Sequence, residues 1–168
     1  MSVALHLNAL SEEDCMAALM RCCGSALWAR KMCASRPFTD AESVFKQADE
    51  LWSQMTKADI LEAFLHHPQI GANVESLRKK FQQTAAWSES EQASVSHASE
   101  DTLSRLAKGN AEYKARYGYI FIVCATGKSA AEMLALLTAR KDNAPEIELK
   151  LAAAEQSKIT KLRLEKLA

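Results

Sequence analysis

A polar cap followed by apolar residues at helical spacing recurs down this chain, and that recurrence is what most limits its fold. Ser11-Glu12-Glu13-Asp14 precedes Met16, Ala17, Leu19 and Met20, and Thr39 or Asp40 precedes Val44, Phe45, Ala48, Leu51 and Trp52. Thr56-Lys57-Ala58-Asp59 precedes Ile60, Leu61, Phe64 and Leu65. Each capping oxygen can accept an amide hydrogen that a first helical turn leaves without a partner. Apolar residues every three or four positions then give the helix one face to bury. The pattern predicts helices ending near Cys23, near Ser35 (after the break at Gly24-Ser25) and before Pro68, with a further one carrying Val44 to Trp52. Beyond these it predicts a helix over Val74 to Phe81 and a long one from roughly Glu100 to Arg116. Ser129-Ala130-Ala131-Glu132 caps another that runs to about Lys141. Asn143-Ala144-Pro145-Glu146 opens the last, with Ile147, Leu151, Ala154, Ile159 and Leu162 expected on one face.

Composition enters as a check on the alternative. Five glycines and three prolines are too few for the many turns of a β-sandwich, while well over half the chain is Ala, Leu, Glu, Lys, Met, Gln or Arg, the residues that lose least in a helix. Tyr117-Gly118-Tyr119-Ile120-Phe121-Ile122-Val123 is the one aromatic and β-branched stretch, too isolated to pair into a sheet, and reads as an extended or kinked buried connection. The expectation is an all-α fold: one domain over residues 1–168, a bundle of about seven to nine helices with an extended connection near 117–125. Lys plus Arg and Asp plus Glu stand at 21 each, so no basic excess exists to displace counterions from nucleic acid. No apolar run approaches the ~20 residues of a membrane helix, and the start Met1-Ser2-Val3-Ala4-Leu5-His6 lacks a signal peptide's charged and apolar regions. The chain is expected to meet neither nucleic acid nor membrane.

Five cysteines (Cys15, Cys22, Cys23, Cys33 and Cys124) show no Cys-x-x-Cys pair and no zinc-type spacing. Buried, reduced thiols are the expectation, in keeping with a cytosolic home. Ala125-Thr126-Gly127-Lys128-Ser129 ends like a phosphate-binding loop, but such a loop needs a glycine five residues before the second one, and position 122 is Ile. A turn followed by an N-cap serine explains the segment. His66-His67-Pro68 places a histidine at the mouth of a helix, where proton transfer near neutral pH is possible; a surface loop histidine is the plainer alternative. Glu62 and His66 are four apart but have no third ligand in range, so no metal is expected. Ser88-x-x-Glu91 is a capping box, and a helix start also offers amide hydrogens to an anion; Gln92 adds an amide able to read a urea or carboxylate edge.

These pieces, in order, resemble one family. Arg36-Pro37-Phe38, His67-Pro68-Gln69-Ile70-Gly71, Ser88-x-x-Glu91-Gln92, Tyr117 through Ala130 and Lys158-Ile159-Thr160-Lys161-Leu162-Arg163-Leu164 look like the ordered motifs of the OHCU decarboxylases. These act on 2-oxo-4-hydroxy-4-carboxy-5-ureidoimidazoline, an intermediate between urate and allantoin. Gln69 stands where many members carry Arg, and Tyr117 and Tyr119 stand where Phe is common.

The resemblance implies a cofactor-free, all-helical decarboxylase that forms (S)-allantoin and works as a homodimer. It puts the catalytic residues at His67 and Glu91, and substrate contacts at Pro68, Ser88, Gln92, Tyr119, Ile120, Phe121, Ile122, Val123 and Arg163. A cytoplasmic location is expected, since Lys166-Leu167-Ala168 differs from the Ser-Lys-Leu type ending of the family's peroxisomal members. Two other readings stay open on residues alone: a non-catalytic helical protein that binds a ureide or related small molecule, and a helical interaction module.

Overall fold

The structure is a computed structural model that describes residues 1–67, residue 75 and residues 89–167, with the side chains of 1–67, 75 and 100–167. Among the described residues there are eight helices and no strand: α1 (Val3–Ala9), α2 (Glu12–Cys22), α3 (Ala26–Ala34), α4 (Ala41–Ser53), α5 (Lys57–Leu65), α6 (Glu89–Tyr117), α7 (Ala130–Arg140) and α8 (Pro145–Glu165). The all-α expectation holds. The helix expected over Val74 to Phe81 lies outside the described residues, apart from Glu75.

The chain divides into two compact units. The first comprises Met1–His67, Ile122–Cys124 and Leu151–Ala168, and the second Pro68–Phe121 and Ala125–Lys150. In the first, every helix start has its own cap. Ser2, Ser11 and Ser25 accept from the amides of Leu5, Asp14 and Trp28, while Asp40–Ser43 and Thr56–Asp59 form reciprocal capping boxes. Such caps contribute about 0.5–2 kcal/mol apiece. α1 escaped the sequence reading because it has only seven residues; Ser2 before Val3, Ala4 and Leu7, all buried, was its signal.

Arg36-Pro37-Phe38 turns out to hold α1 in place. The Arg36 guanidinium donates to the carbonyls of Leu7 and Leu10 at 2.9 and 2.7 Å, closing the end of α1. The Asn8 amide donates to the Phe38 carbonyl and accepts from the Phe38 amide, each at 2.8 Å. The core of this unit is Leu7, Leu19, Trp28, Met32, Val44, Phe64 and Leu164. Trp28 and Trp52 keep their indole hydrogens satisfied on the carbonyls of Ala48 and Ala153.

In the second unit α6 packs against α7. Gly109 permits the approach, since a Cβ there would sit 2.6 Å from a Leu137 methyl. α6 is longer than the sequence predicted: the expected capping-box turn and the expected helix from Glu100 are one helix that starts at Glu89. It ends where Gly118, at φ +83°, donates its amide to the Lys114 carbonyl at 2.8 Å; this left-handed conformation favours glycine. Residues 119–125 then run without helix or strand. A turn at Ala125–Lys128 and the Ser129 cap, which accepts from Glu132 at 3.2 Å, lead into α7. The turn-and-cap explanation of the Gly127-Lys128-Ser129 segment is therefore correct.

α8 corrects the sequence reading most sharply. Its buried positions are Glu148, Ala152, Gln156, Thr160 and Leu164, four residues apart, whereas Ile147 is 56% exposed and Leu151 41%. The expected apolar face points outward at its start and a polar stripe points inward. Burying that stripe is tolerable because its polar side chains have partners, as described below.

Candidate functional site

His67 follows directly on the end of α5. His66 caps that helix, and the His67 amide donates to the Phe64 carbonyl at 3.2 Å, so the chain leaves the helix in a tight turn. Gly24 presses on this turn: a Cβ there would lie 2.4 Å from the His66 Cβ. At the other side of the imidazole stands α8. His67 Nε2 is hydrogen-bonded to Gln156 Oε1, the Gln156 Nε2 donates to Thr160 Oγ1 at 3.0 Å, and Arg163 Nη2 lies 3.4 Å from His67 Nδ1. A second Arg163 nitrogen reaches the Arg21 carbonyl at 3.4 Å. Positions 156, 160 and 163 share one side of a helix, which is why they can address one ring.

Burial is the main influence on the His67 proton. It lowers the pKa below the usual histidine value, and the charges of Arg163 and His66 lower it further, while the Gln156 bond pulls the other way. The neutral ring is thereby favoured. The neighbouring thiols are inert: burial pushes Cys22 and Cys23 up to about 11, and Cys15, beside Cys33, up to about 12. None of the five cysteines is in a disulfide and all are buried, as expected.

A second buried polar cluster lies within the other unit, around Glu148. Its Oε1 accepts from Arg140 Nε and Nη2 at 2.8 and 2.5 Å and from the Tyr113 hydroxyl, and its Oε2 accepts from Asn143 at 3.1 Å. Arg140 stacks on the Phe121 ring at 4.5 Å, and Tyr113 packs edge-on against Phe121 and Tyr119 with centroids 5.2 and 5.9 Å apart. Glu148 thus anchors the residues that shape the start of the extended segment. Burial and the bond to Glu148 hold the Tyr113 hydroxyl protonated. In the first unit the segment is tied by the Cys124 amide, which donates to Glu155 Oε1 at 3.1 Å.

Of the residues singled out from sequence, the structure brings His67 and Arg163 together. Tyr119, Phe121, Ile122 and Val123 are buried and Ile120 half-buried, on the extended segment as expected. Glu91 and Gln92 fall in the first turn of α6, their side chains outside the described residues; Pro68 and Ser88 lie outside them altogether. Glu62 instead accepts from the Ala26 amide at 3.0 Å and serves the start of α3. Sequence reasoning missed Gln156, Thr160, Tyr113, Arg140 and Glu148. For the three on α8 the one signal was their spacing of eight and four residues, Glu148 to Gln156 to Thr160, along an otherwise apolar-patterned helix.

Residues 8–165 match the family model described as OHCU decarboxylase. The chain belongs to the OHCU decarboxylase family. Among its relatives is the Arabidopsis thaliana protein named uric acid degradation bifunctional protein TTL, 42% identical over 147 residues. That match takes in 87% of this chain and 45% of the relative, so the chain spans less than half of that longer protein. The 2-oxo-4-hydroxy-4-carboxy-5-ureidoimidazoline decarboxylase of Amia calva is 26% identical, over 95% of this chain and 91% of that protein. The crystal structure of an OHCU decarboxylase in the presence of (S)-allantoin superposes with a TM-score of 0.71 at 39% identity, covering 94% of this chain and 98% of that one.

Proposed function

We propose that this chain is a cofactor-free carboxy-lyase that converts 2-oxo-4-hydroxy-4-carboxy-5-ureidoimidazoline to (S)-allantoin in urate degradation. The observation that carries the reading is the His67 imidazole beside the Arg163 guanidinium, in a chain matching the family over residues 8–165. The substrate's carboxylate sits on a ring carbon next to a C=N bond. When that carbon–carbon bond breaks and CO₂ departs, the electron pair flows toward the imine, a sink that other decarboxylases obtain from a cofactor. The imine nitrogen and the ureido-bearing carbon each gain a proton and the ring hydroxyl gives one up, so one proton is consumed per CO₂ released.

What remains for the protein is to orient the carboxylate and steer the proton to one face. A planar guanidinium fork such as Arg163 suits a carboxylate, and a neutral imidazole such as His67 suits exchange of the hydroxyl proton. Glu91 as second catalytic residue, and Pro68, Ser88, Gln92 and Tyr119 to Val123 as substrate contacts, enter the proposal through the family resemblance. So do a single functional domain over residues 1–168, a homodimer and a cytoplasmic location; exposed Ile147 and Leu151 on α8 favour a subunit contact.

The test is to add the protein to freshly generated substrate in excess chelator and follow the handedness of the allantoin formed. Accelerated, single-handed product supports the proposal. Binding without acceleration would instead favour a ureide-binding protein, and a rate lost on chelation and restored by zinc or manganese would overturn the cofactor-free part.

A further inference from the structure

Accepting His67 as the working group, the geometry points to Gln156, latched by Thr160, as a positioning residue that holds His67 in its Nε2–H tautomer and aims the Nδ1 lone pair at the Arg163 side. The argument starts from Arg163. A guanidinium only donates, so the ring nitrogen facing its Nη2 at 3.4 Å must be the acceptor. In a neutral imidazole the hydrogen then sits on Nε2, and Nε2 faces Gln156. An amide can meet an N–H only with its oxygen, and Gln156 does present Oε1 while its NH₂ group donates to Thr160 at 3.0 Å. Gln156 is fully buried and Thr160 nearly so, so water does not compete for the arrangement.

Three residues of α8, at 156, 160 and 163, thereby specify one proton on a ring carried by another segment of the chain. The consequence is chemical. With Nε2 committed to the protein, Nδ1 alone is available to exchange a proton with substrate, and it lies beside the cation proposed to take the carboxylate. Fixing a histidine's tautomer through the nitrogen not used in chemistry is a general device.

The test is nitrogen-15 NMR of histidine-labelled protein, which reads the tautomer without any need for turnover, paired with kcat and KM. Wild-type His67 is expected to show a protonated Nε2 and an unprotonated Nδ1 at neutral pH. Gln156→Leu, of similar volume but without an acceptor, should shift His67 to a mixture of tautomers. It should also lower kcat by about 10- to 100-fold, the loss seen when the orienting partners of ligand histidines are removed, with KM changed far less. Gln156→Glu retains an acceptor and should restore the Nε2–H form. Thr160→Val removes the latch, together with a hydrogen bond to Cys23, and should loosen the tautomer even if Gln156→Leu fails to fold. A wild-type His67 protonated on Nδ1, or variants that lose thermal stability and activity together with the tautomer unmoved, would overturn the inference. An inactive wild type with the Nε2–H tautomer in place would instead refute the decarboxylase reading and leave the positioning intact.

Discussion

At the scale of single residues, the role proposed for His67 depends on whether its ring is protonated. Burial favours the neutral ring, so between the usual histidine pKa and the lowered one of the native protein the unfolded chain binds more protons than the folded one. The corresponding stability is present above the usual value and is lost as pH falls through the native one. The working neutral form persists over the same interval. Activity is therefore expected to hold from neutral pH to below about 6.5, the ordinary histidine value, and to fall only on the acid side. A profile of kcat/KM against pH, which reports the free enzyme's groups, checks this, and an acid limb above that value would contradict it. Gly24 bears on the same ring indirectly. A methyl group there must displace His66, and His67 with it. Gly24→Ala should lower kcat and melting temperature together, because the clash falls on the His66 Cβ, which no side-chain rotation moves, so the turn that carries His67 must shift. Rate and melting temperature measured together decide it.

Among the helices, α8 shows how far sequence patterning reaches and where it stops. Its start at Pro145 and its existence were legible, since proline suits a first helical turn. Its orientation was not, because periodicity assigns Ile147 and Leu151 to the inside, and nothing local reveals that Tyr113, Arg140 and His67 supply partners for Glu148 and Gln156. Those partners lie 8 to 89 positions away in sequence. The short α1 was missed for a related reason: a brief helix gains its stability from packing more than from its own pattern. The buried Arg140–Glu148 pair offers a direct test of this dependence. Arg140→Met leaves a carboxylate buried without its cation and should cost about 3–5 kcal/mol, whereas adding Glu148→Leu should recover part of it, the buried Tyr113 hydroxyl and the Asn143 amide then losing their acceptor. Denaturant titration of the single and double variants measures both; an additive double variant would contradict the pairing.

For the whole molecule, the helical class followed from the recurring caps and the scarcity of turn residues, and the extended segment near 117–125 from its aromatic and β-branched run. The proposed site was reached only through the order of the sequence motifs, since His67 and Arg163 are far apart in sequence and no single spacing joins them. No helix among the described residues is long and apolar enough to cross a membrane. The proposed homodimer is tested by sedimentation at micromolar concentration. A mass near twice 18.5 kDa is expected, falling to the monomer's when Ile147 and Leu151 are both changed to Lys; a wild-type mass of 18.5 kDa would refute it.

The central claim, that His67 makes this chain a stereospecific decarboxylase, is tested most directly by comparing the wild type with His67→Ala on freshly generated substrate while circular dichroism follows the product. The wild type is expected to give (S)-allantoin rapidly, and the variant to lose on the order of 10²–10⁴-fold of the rate while still folding. Undiminished activity in the folded His67→Ala protein, or a wild-type product of both hands formed at the uncatalysed rate, would contradict the account.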